Sequence, residues 1–475
     1  MSEVLTPDIC VIGAGAGGLS VAAGAAQMGA SVVLVERGAM GGDCLNAGCV
    51  PSKALIAAAG AAHAARRAGD FGVQTSAPVA SADAVFARVR ATIAAIAPND
   101  SVERFEGLGV RVIRAEGRFT APDCVAAGNA EIRARRFVIA TGSRPSIPPL
   151  PGLDGISHLT NETVFALDRI PERLIVLGGG PVGIELAQAF RRLGAGVSVV
   201  EMQNILSRED PELADVVRRG LIREGIELFE GTRAERAVRT AAGVALDLAN
   251  ANGDKARLEG SHLLVAAGRS PNIAALDLDK AGIEAGPRGI PVDARLRTGN
   301  RRVFAIGDVT GGMQFTHVAN YHAGVVLKNI LLRWPAKADP RAIPRVTYTD
   351  PELAQVGLTE AEARARDKTI RVLRWSMHDN DRARTDGTTD GLVKIVATPR
   401  GKILGAGIAA PHAGELIQPW VLAIGEGLGL AAMARMVAPY PTLGEAGKRA
   451  AGSFFAPALF GERTRALVRL LARLG

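Results

Sequence analysis

Two of the four cysteines in this chain of 475 residues share one short run, Gly41-Gly42-Asp43-Cys44-Leu45-Asn46-Ala47-Gly48-Cys49-Val50-Pro51-Ser52-Lys53. A disulfide closing so short a loop adds little stability to a chain this long, so the pair is suited to chemistry rather than architecture. Proline is favoured at the first helical position, and a helix starting at Pro51 aims its free N–H groups and positive dipole end back at Cys49. That setting lowers a thiol pKa and favours the thiolate. Zinc is the competing reading, but it usually takes four thiolate or imidazole ligands, and no histidine neighbours Cys44 or Cys49. The run reads as a redox-active disulfide. Cys10, in an apolar strand, and Cys124, after a turn at Pro122-Asp123, read as structural.

The elements around that run set its context. The apolar strand Ile9-Cys10-Val11-Ile12 enters Gly13-Ala14-Gly15-Ala16-Gly17-Gly18, an alanine-rich helical stretch follows to Met28, and the strand Ser31-Val32-Val33-Leu34-Val35 ends in Glu36. This is a complete dinucleotide fingerprint. Gly13 makes the tight turn, Gly15 lets the backbone approach a pyrophosphate, Gly18 lets helix and strand pack closely, and Glu36 takes the ribose hydroxyls. The pattern returns in Leu174-Ile175-Val176-Leu177, Gly178-Gly179-Gly180-Pro181-Val182-Gly183, a helix to about Leu193, and Val197-Ser198-Val199-Val200-Glu201. The interval from first glycine to acid is the same in both copies. Gly178, Gly180, Gly183 and Glu201 form the second cradle, and a protein holding two dinucleotides usually passes electrons between them. A carboxylate at Glu201 favours a free ribose 2′-hydroxyl and repels a 2′-phosphate, so NADH is expected over NADPH.

The length implies about three domains, and a hydrophobic content of 48% with positive mean hydropathy is that of a globular chain. Residues 9–35 carry no charge, but the glycines of the first cradle interrupt them, and a membrane span is not expected there. Met1 to Asp8 has no basic region followed by an apolar stretch, so no secretory signal is expected, and the enzyme is placed in the cytoplasm. The net charge of +8 comes from scattered arginines with few aromatics among them, which argues against nucleic acid.

In these motifs the chain resembles the class I pyridine nucleotide-disulfide oxidoreductases, the flavoproteins that include dihydrolipoamide dehydrogenase, glutathione reductase and mercuric reductase. Gly41 to Lys53 resembles the family's redox signature, and the first cradle its FAD site. Ala140-Thr141-Gly142 and Ala267-Gly268-Arg269 sit where such proteins cross between nucleotide domains, which assigns Thr141 and Gly142 to FAD, and Gly268 and Arg269 to NAD. Val303 to Asp308 resembles the second FAD motif, with Asp308 on the ribityl chain, and Thr349 to Gly357 the start of the interface domain.

The resemblance implies an α/β fold of two doubly wound, Rossmann-like dinucleotide-binding domains plus a C-terminal α+β dimerisation domain. Residues 1–150 and 276–340 form the FAD domain, 151–275 the NAD domain, and 341–475 the interface domain. It implies a homodimer in which NADH reduces FAD and FAD reduces the disulfide. Cys49 is then the flavin-side thiolate, Cys44 the interchange thiol, and Lys53 and Glu185 a pair beside the flavin.

One departure stands out. Where most members carry His-Pro-Thr-x-Ser-Glu, this chain has Tyr440-Pro441-Thr442-Leu443-Gly444-Glu445, so the histidine acid/base is replaced while Glu445 is kept. A phenol of pKa about 10 is ionised roughly one part in a thousand at neutral pH, whereas imidazole near 6.5 is well poised. Tyrosine near this position is similar to mercuric reductases. Two of their devices are not expected here, an N-terminal metal-binding domain and a C-terminal cysteine pair, since Gly13 comes so early and Cys124 is the last cysteine. His317 and His322 are expected to face the nucleotide or pack.

The reading is an NADH-dependent flavoenzyme passing electrons through Cys44–Cys49 to a disulfide or a thiol-bound metal such as Hg(II). Dihydrolipoyl dehydrogenase is one alternative. A reductase of quinone, oxygen or metal at the flavin, or a redox-sensing flavoprotein, is the other. Phe454, Phe455, Leu459 and Phe460 precede an expected helix with Leu467, Leu470, Leu471 and Leu474 on one face and Arg463, Arg465, Arg469 and Arg473 making it basic. Packing on the interface domain is the ordinary expectation for it, and contact with a membrane surface or a partner the alternative.

Overall fold

The computed structural model describes residues 3–473, so Leu474 of the C-terminal helix lies outside it. Two compact units are present: Met1–Gly178, Ala189–Val200 and Thr232–Asp339 form one, and Gly179–Gln188, Glu201–Gly231 and Pro340–Gly475 the other.

The first unit is built on a parallel sheet in the order Val303–Ala305, Arg136–Ile139, Ile9–Ile12, Val32–Val35, Val110–Ile113. Its inner strands Ile9–Ile12 and Val32–Val35 are continuous apolar runs because both faces are covered. Cys10, Ile12, Val33 and Val35 join a core with Phe119 and Phe137, while Ile9, Val11, Val32 and Leu34 join another with Leu19, Val21 and Ala22 of the helix Ala16–Gln27. Cys10 is therefore a core side chain. Cys124 is also buried, as the first residue of the strand Cys124–Ala127 after the turn at Pro122-Asp123. The same unit carries a second set of parallel strands, Arg173–Leu177 between Gly196–Val200 and His262–Val265, and an antiparallel meander of Thr232–Thr240, Gly243–Asn250 and Lys255–Gly260.

In the second unit an antiparallel sheet runs in the order Pro344–Thr347, Glu352–Gly357, Ile403–Ala410, Leu392–Ala397, Arg371–Ser376. Trp420, Ala446 and Ala450 from its helices close the core beneath it. Lys394, only 4% exposed, is held by Asp210 (2.8 Å), Glu212 (2.6 Å) and Glu360 (2.9 Å). Removing one partner of such a buried pair costs about 3–5 kcal/mol, because the other charge is left uncompensated. The helix Glu462–Leu471 does not pack as expected: Leu467, Val468, Leu470 and Leu471 are each more than half exposed. Within one chain nothing covers its apolar face among the described residues.

Candidate active site

Both glycine-rich turns have the same internal construction. Gly13 (φ 105°) and Gly178 (φ 118°) occupy the left-handed region, and a side-chain carbon on either would lie 2.4 Å from a carbonyl oxygen, that of Ala140 or Ala266. Glu36 accepts from the backbone N–H of Ala14 (2.6 Å) and of Gly38 (2.6 Å). Glu201 accepts likewise from Gly179 (2.7 Å) and Gln203 (2.9 Å). The acid at the end of the second strand thus closes the turn and remains at its lip. A carbon added to Gly180 would meet nothing within 4 Å, and one added to Gly15 nothing nearer than Gly42 Cα at 4.0 Å, so the backbone is bare where a pyrophosphate would approach.

The cysteine run is fastened to the first of these turns. Gly41 N–H donates to the Ala14 carbonyl (3.0 Å), and a carbon on Gly42 would come within 2.7 Å of Gly15 Cα. The run makes two helices, Gly42–Asn46 and Cys49–Arg67. The second begins at Cys49 and not at Pro51, because proline is tolerated anywhere in a first turn whose N–H groups lack intrahelical partners. Cys49 thus lies in the first turn itself. Asp43 accepts from Asn161 Nδ2 (3.0 Å) and pairs with Arg269 (3.2 Å), so residues far along the chain fix the first helix.

Cys44 and Cys49 are both free thiols here, and one hydrogen bond joins them. It pulls the Cys49 thiol down to about 6, helped by the Thr316 hydroxyl at 3.4 Å and the charge of Lys53 one turn along the helix, against the opposing effect of burial. The same bond, with burial, pushes the Cys44 thiol up. The two shifts run in opposite directions, favouring the thiolate on Cys49 and the proton on Cys44.

A model of the pyridine nucleotide-disulphide oxidoreductases matches residues 7–323, and one of their dimerisation domain matches residues 343–451. The chain belongs to this family. It is 37% identical over 455 residues to a mercuric reductase of Streptomyces lividans, covering 94% of this chain and 96% of that protein. It is 35% identical to a dihydrolipoyl dehydrogenase of Halobacterium salinarum over 94% and 95% of the two chains. Among solved structures, LpdA of Mycobacterium tuberculosis superposes with a TM-score of 0.86 at 29% identity, covering 94% of this chain and 99% of that one. The HOCl-induced flavoprotein disulfide reductase RclA of Escherichia coli gives 0.83 at 26%, over 94% and 99%. The protein is an oxidoreductase of this family and a homodimer, with FAD and NAD(P)H as its cofactors, and each cradle has the bare glycines and the carboxylate that such a dinucleotide needs.

The remaining family motifs take the following places. Asp308, half-buried, accepts from the Ser143 hydroxyl (2.6 Å), which in turn accepts from Arg269 Nε (2.7 Å). Burial raises the Asp308 pKa while Ser143 and Arg269 oppose the rise. Arg269 therefore links the cysteine run to the Asp308 motif. The Thr141 hydroxyl donates to the Asn272 carbonyl (2.7 Å), and Gly142, with φ of 67°, accepts from Asn272 N–H (3.0 Å). Gly268 follows the strand His262–Val265 with φ of 121°.

Lys53 is on the helix Cys49–Arg67. Glu185, on the helix Pro181–Leu193, is buried and accepts from Tyr348 N–H (2.9 Å). Tyr440 is 70% exposed and donates to Asp381 (3.1 Å), a bond that raises its phenol pKa further. Glu445 opens the helix Glu445–Ser453. His322 accepts from Gly307 N–H (3.3 Å), burial lowers its pKa, and His317 stacks on Phe315. Thr316 and Asn161 were missed in the sequence. Each is distant in sequence from its cysteine-run partner and lies in no glycine-rich or cysteine pattern.

Proposed function

We propose that this protein is an NADH-dependent flavoenzyme of the mercuric-reductase type, delivering electrons through Cys49 and Cys44 to a thiol-bound soft metal such as Hg(II) or to a small disulfide. The unequal cysteine pair carries the reading. A nucleophilic thiolate is kept on Cys49 at neutral pH, and a protonated thiol on Cys44 is lined up to meet an acceptor. FAD, when bound, would supply the two-electron chemistry between the nicotinamide and the disulfide. The chain's own contribution is to hold the cysteine run on the Gly13–Glu36 turn and to keep the Cys49 thiolate hydrogen-bonded. Tyr440 supports metal over lipoamide, because soft-metal exchange between thiolates needs no strong base and a phenol supplies none at neutral pH. Glu201 supports NADH, because a 2′-phosphate would meet its carboxylate.

Residues 1–150 with 276–340, 151–275 and 341–475 serve in this account as the FAD, NAD and interface domains. Free thiols on a redox enzyme suit a reducing cytoplasm, which cell fractionation tests. The exposed leucines and arginines of Glu462–Leu471 support contact with an anionic membrane surface, tested by sedimentation with vesicles of anionic and of neutral lipid.

Initial rates with an acceptor panel test the main reading. Hg(II) in excess thiol is expected to be reduced faster than lipoamide or glutathione disulfide, with NADH preferred over NADPH. Lipoamide turnover exceeding that of Hg(II) would make the protein a dihydrolipoyl dehydrogenase instead.

A further inference from the structure

A cleft of about 320 Å³ opens beside Cys44. Leu19 and Ala23 of the helix Ala16–Gln27 form one wall, and Asn320, Asp100 and Arg104 stand around it. Asp100 ends the 3-10 turn Ala97–Asp100 and is half-buried. Its Oδ2 lies 3.0 Å from where a side-chain carbon on Gly41 would be, three residues before Cys44, so the carboxyl packs directly on the cysteine run. Among the described residues no donor hydrogen-bonds to it. Arg104 acts on it through charge alone, with its guanidinium engaged by the Asn99 carbonyl at 2.5 Å. Burial raises the Asp100 pKa above the ordinary carboxylate value, Arg104 opposing. Of the groups lining the cleft, only Cys44, Asp100 and Arg104 titrate or carry charge; the helices Ala16–Gln27 and Thr316–Ile330 add only the neutral Ser20, Thr316 and Asn320.

An unbonded carboxyl facing the same space as a protonated thiol is what proton transfer to an acceptor requires. We propose that Asp100 is the acid/base of exchange between Cys44 and a disulfide acceptor, the role for which Tyr440 is unsuited. The assignment rests on Cys44 being the thiol that meets the acceptor. Cys44 Sγ forms a bond to one sulfur of RS–SR′ as its proton passes to the Asp100 carboxylate and the RS–SR′ bond breaks. The departing R′S⁻ takes that proton from Asp100 and leaves as R′SH. The Cys49 thiolate then displaces RS⁻ from Cys44 and closes the Cys44–Cys49 disulfide. Two electrons have moved from the pair to the acceptor, and the proton of Cys44 has gone to R′SH.

The test uses holoenzyme reduced with NADH and mixed with one of two uncharged disulfides, lipoamide or dithiodipyridine. An alkyl thiolate must be protonated to leave well, whereas a pyridinethiolate leaves without a proton. In Asp100→Asn, reoxidation by lipoamide is expected to fall about 100-fold and that by dithiodipyridine less than about threefold, with Asp100→Glu restoring part of the lipoamide rate. A merely structural Asp100 would slow both acceptors alike, and that result, or an unchanged lipoamide rate, overturns the proposal. Fast reaction of Cys44→Ser with dithiodipyridine is a separate failure, since it removes Cys44 itself from the acceptor step.

Discussion

Around Cys49 the chain assembles a helix start and the Lys53 charge, whereas Cys44 keeps its proton beside an open cleft; burial and the Thr316 hydroxyl act on both thiols. In the proposed reading the first set works for any acceptor, since it only needs to stabilise a thiolate. On the same reading the second set meets the substrate, and Tyr440, which stands where most of the family carry histidine, is exposed and bonded to Asp381. Electron entry and electron delivery are, in the proposed reading, specified by different residues. A chain can keep the first intact while the second changes.

Removing Cys44 should have the largest effect. Cys44→Ser is expected to lower NADH-driven turnover with every thiol-dependent acceptor by on the order of a thousandfold or more, read as steady-state rates. Full turnover in Cys44→Ser would mean that electrons leave from the flavin, as in a quinone or oxygen reductase, and the comparison would collapse. Thr316→Val should show first at Cys49, although the same hydroxyl also lowers the Cys44 thiol. One hydrogen bond to a charged group is worth about 1.5 kcal/mol, so the Cys49 pKa should rise by about one unit, seen in the ultraviolet absorbance of the thiolate against pH. The smallest effect belongs to Tyr440→Phe, expected to change turnover with Hg(II) in excess thiol by less than about twofold, because the phenol moves no proton at neutral pH. A tenfold loss there would restore Tyr440 as an acid/base and blur the distinction between the two sides.

The cradles were legible because their constraints are local. Gly13 and Gly178 need a left-handed backbone, and the acid of each turn lies within one βαβ unit, so spacing alone carries the geometry. The parallel sheet was legible for a similar reason: runs such as Ile9–Ile12 and Val32–Val35 are apolar at every position, as strands covered on both faces must be. The helix start was misplaced by two residues, since a proline marks a first turn without saying which residue of that turn it occupies. The packing of Glu462–Leu471 was misjudged because amphipathic periodicity identifies an apolar face but not what covers it. Thr316 and the tie between Arg269 and Asp43 could not be read at all. They join positions separated by more than two hundred residues; Thr316 lies in no motif, and the motifs that contain Arg269 and Asp43 do not say that the two pair.

The central claim, that the thiolate belongs to Cys49 and faces the flavin, is most directly tested by the long-wavelength charge-transfer absorbance of the FAD-loaded Cys44→Ser and Cys49→Ser proteins as a function of pH. The account predicts a band in Cys44→Ser that fades on acidification and none in Cys49→Ser at any pH. In the reduced wild-type pair, where Cys44 donates to Cys49, the band should titrate near pH 6; Cys44→Ser should titrate at a higher pH if that hydrogen bond is weakened. A band in Cys49→Ser, or its absence from Cys44→Ser, would contradict it.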